Sequence, residues 1–244
     1  MHDVKKTQKV LLLLPNYIGI KHPDAWLPSY FRKELEDIDL IFCESYRSAE
    51  TLLDRQKMPE IELYEINEHT KWKKQEFEIM GLMGQYNKLA IISDAGLPCV
   101  ADPGERIVLL AHEMGFHVKP LPGANSMILA LAASGLNGEA FRFNGYLPID
   151  IDLCKKKVVE MSQAVKQSNE TQLFMETPYR NEKLLRNLMN WLPDAMLLSI
   201  AADILGRDEL IKTCSVAEWK NSIENESIQK LIGKKPAVFL IGNP

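Results

Sequence analysis

Along the first half of the chain, short uninterrupted apolar runs alternate with longer stretches whose apolar positions recur at helical spacing. The runs KVLLLLP, DLIFCES, IELYEIN, LAIISD and HVKPLP read as strands, and residues 25–36, 47–55, 72–86 and 105–114 between them read as helices. Runs that are apolar throughout, rather than at every second position, belong to strands covered on both sides. The pattern therefore predicts a mostly parallel five-stranded sheet with helices on both faces. After Pro120 the texture changes. An Ala/Leu-rich helix over Ser126–Ser134 is followed by FRFNGYLP, QLFMETP, AMLLSIAADI, LIKTCSV and AVFLIGNP, a richer strand signal with fewer helices. This predicts a second α/β domain with a mixed sheet. The division falls at residues 1–119 and 120–244, with Pro120 and Pro122 stiffening the crossing. The lysines at 155–157 read as the solvated face of a helix.

Composition narrows the partners more than it narrows the fold. The 244 residues are 46% hydrophobic and 25% charged, ordinary for globular domains. A formal net charge of -4 and an isoelectric point near 5.8 exclude a pervasive basic surface, so contact with nucleic acid would have to rest on a local patch. Cys43, Cys99, Cys154 and Cys214 lie far apart with no CxxC pair, which suggests neither a zinc site nor a disulfide framework and fits a reduced, cytoplasmic protein. The apolar run Val10–Leu14 is too short to cross a membrane.

The chemistry concentrates where strands end. Residues 93–104, SDAGLPCVADPG, follow the apolar run at 89–92, and PLPGANS at 120–126 follows the next. In an open α/β sheet such Gly/Pro-rich exits are where a small ligand is held. Gly96 lets backbone N–H groups approach a ligand, and Asp94 can accept hydrogen bonds from its hydroxyl or amino groups. The later half of the first loop reads equally as a helix start, with Asp102 as cap and Pro103 in the first turn. In the second loop, Asn125 or Ser126 would cap the apolar helix. No GxGxxG fingerprint, GKS/T loop or GxSxG elbow is present. His112-Glu113 with His117 imitates a zinc-binding helix, but residues five apart lie about 140° round a helix, so no metal is expected. Two further strand exits, CESYRSAE and ETPYR, pair Glu44 with Arg47 and Glu176 with Arg180.

These segments resemble the tetrapyrrole methylase superfamily of S-adenosylmethionine-dependent methyltransferases, and most of all its branch that methylates a cytidine 2′-hydroxyl of small-subunit ribosomal RNA. That branch's ISDAGxPxxxDPG is matched by residues 92–104, its PLPGxxxxxxALxxSGL by 120–136, its GFLP by 145–148 and its ESPHR by 176–180. The resemblance implies two α/β domains with the cofactor in the cleft between them, usually in a homodimer. Pro15, Asp94, Gly96, Pro98, Val100, Ala124, Asn125 and Ser126 would surround S-adenosylmethionine, and Met175, Pro236 and Ala237 would complete the adenosine side. The chain departs from the branch in three places: LLPNYIGIKHPD replaces VxTPIGNLxD, CESYR replaces AEDTR, and AADILGRDELIK replaces ARELTKxxE, with Asp203 near the acidic position. All three lie where the family receives its acceptor.

The reaction implied is in-line displacement at the sulfonium methyl, for which the protein must align donor and acceptor in a dry site. With a hydroxyl acceptor, Glu44 or Glu176 would act as base, and Arg47 and Arg180 would orient a phosphate or the carboxylates. Ribosomal RNA or the small ribosomal subunit is the expected partner. The alternatives are methylation of a tetrapyrrole or other small molecule, and a cofactor-binding paralogue without turnover.

Overall fold

The apolar runs of the first half form β1 (Val10–Leu14), β2 (Leu40–Cys43), β3 (Glu62–Glu65), β4 (Lys88–Ile92) and β5 (His117–Pro120), all parallel, in the order β3-β2-β4-β1-β5. The computed structural model describes residues 8–19, 31–225 and 228–244. Alternation along β1 explains why its leucines are continuous. Leu12 and Leu14 pack against α1 (Phe31–Leu35) and α2 (Tyr46–Gln56), whereas Leu11 packs against α3 (Trp72–Gln85) and α4 (Glu105–Glu113) on the other face. Of the helix expected over residues 25–36, Phe31–Leu35 is helical, and residues 25–30 lie outside the described residues. Ser45 caps α2 by accepting from the Ser48 N–H at 3.3 Å, and left-handed Lys57 ends it.

The second half forms α5 (Ser126–Ser134), β6 (Phe141–Tyr146), α6 (Ile151–Ser168), β7 (Thr171–Glu176), α7 (Asn181–Trp191), β8 (Leu197–Ala202), β9 (Leu210–Ser215), α8 (Val216–Asn225), α9 (Ile228–Ile232) and β10 (Ala237–Gly242). Its sheet runs β6-β7-β10-β8-β9, parallel only between β6 and β7, so it is mixed. Helices α6 to α9 bury Cys154, Val158, Leu185 and Trp219 against one face, and α5 buries Met127, Ala130 and Leu131 against the other. Helices are therefore more numerous here than the strand-rich texture suggested. The lysines at 155–157 do lie on a helix, the 18-residue α6, whose full extent was obscured because its apolar stripe is thin, Cys154, Val158, Met161 and Val165 among charged positions. Asp150 caps this helix by accepting from the Asp152 and Leu153 N–H groups.

Among the described residues, one unit comprises 8–18 with 31–125 and the other comprises residue 19 with 126–225 and 228–244. The division thus falls beyond Pro120, for a local reason. Pro120 is still paired with Leu13 in the first sheet, and the Leu121 N–H donates to the Leu13 carbonyl at 3.0 Å.

Candidate functional site

Strand order decides which loops meet. Because β1 lies between β4 and β5, its exit at Pro15-Asn16 is flanked by the exits of both neighbours, segments far away in the chain. Asn16 joins the first pair. Its backbone exchanges two hydrogen bonds with Gly96, at 2.8 and 3.2 Å, and its buried side chain donates to the carbonyls of Ser93 (2.9 Å) and Asp94 (3.1 Å) while accepting from the Tyr17 N–H. On the other side, a Cβ on Gly123 would fall 2.1 Å from the Pro15 Cβ, so only glycine allows the exits of β1 and β5 this approach. Gly96 is left-handed at φ +74°, and a side chain there would crowd Ile18 and the Ala124 carbonyl. Pro15, Gly96 and Ala124 are therefore brought together within the first unit.

The loop after Gly96 holds unusual backbone. Cys99 and Ala101 are both left-handed, at φ 67° and 64°, a conformation that costs a non-glycine residue on the order of 1 kcal/mol. Pro98 is buried and Val100 exposed. Helix α4 starts from Gly104 without a side-chain cap, so Asp102 is not the cap that the sequence allowed. Instead Asp102 lies beside Ser93, whose hydroxyl donates to the Ala95 carbonyl at 3.2 Å. Asn125 and Ser126, half-buried, stand at the start of α5.

Three carboxylates gather at this edge. The Glu44 Oε2 accepts from the Asp94 N–H at 2.9 Å, and the Ser45 hydroxyl donates to Asp94 Oδ1 at 2.7 Å, so the exit of β2 grips the exit of β4. Burial and the neighbouring Glu44 push the Asp102 carboxyl up to about 6, with Asp94 adding to the effect and the Ser93 hydroxyl opposing it. Burial also raises Glu44, against the pull of the Asp94 N–H. The Cys99 thiol is pushed up to about 12 by burial, which keeps it protonated at neutral pH and removes it as a nucleophile. Arg47 is exposed on the first turn of α2. Among the described residues no group of acidic, His or Cys side chains is arranged to hold a metal.

The remaining residues singled out from sequence lie in the second unit. Glu176 pairs in register with Ala237 and Met175 with Val238, so the end of β7 and the start of β10 are adjacent, with Pro236 just ahead. Successive residues point to opposite faces of a strand. Met175 accordingly packs with the α5 side, whereas Glu176 lines a small hollow on the α6–α7 side with Pro148, Cys154 and Arg180. The Glu176 carboxylate is buried. It accepts from the Thr177 N–H at 2.6 Å and forms an ion pair with Arg180 at 2.8 Å, outside hydrogen-bond alignment, while Arg180 donates to the Pro148 carbonyl at 3.1 Å. Asn181, overlooked in the sequence, donates from full burial to the carbonyls of Ile232 and Lys235 and so fixes the approach to Pro236. Asp203, left-handed after β8, accepts from the Asp208 N–H at 2.8 Å and shapes its own turn.

A parallel sheet whose central exits are tied into one strained, glycine-dependent surface, followed by a mixed-sheet unit, defines an α/β protein built to hold a small ligand at strand ends. The model of the Tetrapyrrole (Corrin/Porphyrin) Methylases family matches residues 31–219. Curated relatives named Ribosomal RNA small subunit methyltransferase I are 33% identical over 66% of this chain in Thermotoga maritima, 29% over 80% in Vibrio cholerae and 31% over 82% in Bacillus subtilis. The matched segments span 70%, 66% and 62% of those proteins, so the chain covers about two thirds of the length of the curated relatives it matches. Among solved structures, uroporphyrin-III-C-methyltransferase from Thermus thermophilus superposes with a TM-score of 0.55 at 16% identity, covering 96% of this chain and 94% of that one. The methyltransferase CobJ superposes with a TM-score of 0.59 at 14% identity, covering 97% and 94%. The chain belongs to the tetrapyrrole methylase family of S-adenosylmethionine-dependent methyltransferases.

Proposed function

We propose that this chain transfers the methyl group of S-adenosylmethionine to a ribose 2′-hydroxyl of small-subunit ribosomal RNA, as a cytoplasmic homodimer. The observation that carries the donor side is the joined surface of Pro15, Asn16, Gly96, Gly123 and Ala124, a backbone platform tied by hydrogen bonds and close glycine packing. Backbone strain at Cys99 and Ala101, two left-handed residues within one loop that end no helix, supports the same reading, because such strain clusters at ligand sites. The carboxylates of Glu44, Asp94 and Asp102 complement the sulfonium and ammonium charges of the donor. Pro98, Val100, Asn125 and Ser126 extend the donor surface along the same two loops. The name of the curated relatives supports the RNA acceptor.

As methyl transfer discharges the sulfonium, the acceptor hydroxyl must lose a proton. Glu44 is the base in this proposal, its raised pKa bringing it nearer neutrality, and exposed Arg47 meets an acceptor phosphate. Glu176 and Arg180, engaged with Thr177 and Pro148, hold the β7 exit rather than the reacting atoms.

Labelled methyl donor, incubated with RNA and small-molecule extracts of a strain lacking the protein, tests the acceptor. Label on a small-subunit ribose supports the proposal, and label confined to small molecules overturns it. Glu44→Gln keeps an oxygen for the Asp94 N–H but cannot take a proton. It is expected to bind S-adenosylmethionine within about twofold of the parent and to lose roughly 10²-fold or more in turnover. Unchanged turnover would remove Glu44 as base.

A further inference from the structure

The outer edge of the first sheet carries a feature that methyl transfer does not use. Between α2 and β3 runs a groove of about 670 Å³. Leu53, Met58, Ile61 and Leu63 form its apolar floor. Its walls carry Glu50 and Asp54 from successive turns of α2, with Glu60 opposite, and no Lys or Arg lines it among the described residues. Such a wall repels phosphates, so it does not serve RNA.

β3 ends the sheet, and among the described residues no strand pairs with its outer side. Parallel pairing fixes which of its backbone groups are turned outward. The Ile66 N–H donates to the Cys43 carbonyl of β2 at 2.8 Å, so residues 62, 64 and 66 face β2, and the N–H and C=O of Leu63 and Glu65 face away. A ready-made hydrogen-bonding edge thus runs beside an apolar trough with carboxylate walls.

We propose that this edge receives an extended basic peptide of a partner protein, which adds as a sixth strand beside β3. Main-chain pairing with Leu63 and Glu65 provides the register, alternate apolar side chains enter the trough, and Lys or Arg side chains meet Glu50, Asp54 and Glu60. Charge complementarity selects this occupant over RNA, over an acidic segment, and over the same face of a second acidic copy. The proposal is independent of the methyl acceptor.

The test is fluorescence anisotropy of the full chain with three labelled decapeptides: alternating Lys and Val, the same sequence N-methylated at alternate amides, and all Lys. The alternating peptide is expected to bind, weakening as salt rises, and its N-methylated form to bind at least about tenfold more weakly because it cannot pair with the edge. E50K/E60K is expected to weaken the alternating peptide about tenfold with the thermal midpoint and S-adenosylmethionine binding unchanged. Equal binding of all three peptides would reduce the groove to nonspecific charge and overturn strand addition. Insensitivity to E50K/E60K, or loss of dimer in that variant without any peptide binding, overturns the site itself.

Discussion

Asn16 is a case in which residue type conceals role. From sequence it looks like a departure from the family's opening motif near the acceptor, yet its amide joins the exits of β1 and β4 through two carbonyls and a reciprocal backbone pair. Asn16→Leu leaves the Ser93 and Asp94 carbonyls without this partner, and a loss of about 1–3 kcal/mol is expected in urea unfolding, together with weaker S-adenosylmethionine binding by calorimetry. Nothing in the sequence marked this role, because it depends on β1 and β4 being neighbours. Asp102 makes a pH prediction. Its folded pKa of about 6 lies above the unstructured value of 3.8, so the folded state binds the proton more tightly. Ionising Asp102 therefore costs stability progressively as pH rises from about 4 to about 6, and above that the cost is constant. Glu44, raised in the same direction, adds to the trend. Asp102→Asn should unfold at higher urea than the parent at pH 7 and show little difference at pH 4. An equal difference at both pH values would contradict this account.

Among the elements, the exits of β1, β4 and β5 act as one structure. Gly123→Ala places a methyl within 2.1 Å of the Pro15 Cβ, a backbone-anchored contact that no side-chain rotation relieves. The exits must separate, at a cost of about 1–3 kcal/mol, and S-adenosylmethionine binding should fall more than tenfold while β-sheet circular dichroism persists. Legibility in the sequence followed burial. Strands β1, β2 and β4 read clearly because they are covered on both sides and hence apolar throughout, and the loops after β4 and β5 read clearly through their Gly and Pro residues. Helix α6 was legible only at its lysines 155–157, since its apolar face is narrow, and the grip of Glu44 on the Asp94 N–H was not legible, since it needs the β2–β4 adjacency.

Across the whole molecule, each unit has its own cores and the described residues include no helix long and apolar enough to cross a membrane. Alternating βα texture fixed the first architecture in advance, whereas the strand order of both sheets came only with the fold. Because the proposed donor surface is built only by folding, S-adenosylmethionine at 100 times its Kd should stabilise the protein by about 2.7 kcal/mol, seen as a rise in Tm by calorimetry. No rise at saturating donor would contradict the donor site. With a net charge of -4, any RNA affinity rests on local cations such as Arg47, so it should be modest and fall as salt increases.

The reciprocal Asn16–Gly96 pair also bears on how the ligand comes and goes. Two strand exits that exchange amide hydrogens for carbonyls in both directions cannot swing apart without breaking both bonds and the side-chain tie as well. In deuterated solvent, the amides of Asn16 and Gly96 should therefore exchange as slowly as those inside β1 and β4, with donor present or absent. With the donor held as proposed, the Asn16–Gly96 side is then a fixed wall of the site and not its doorway.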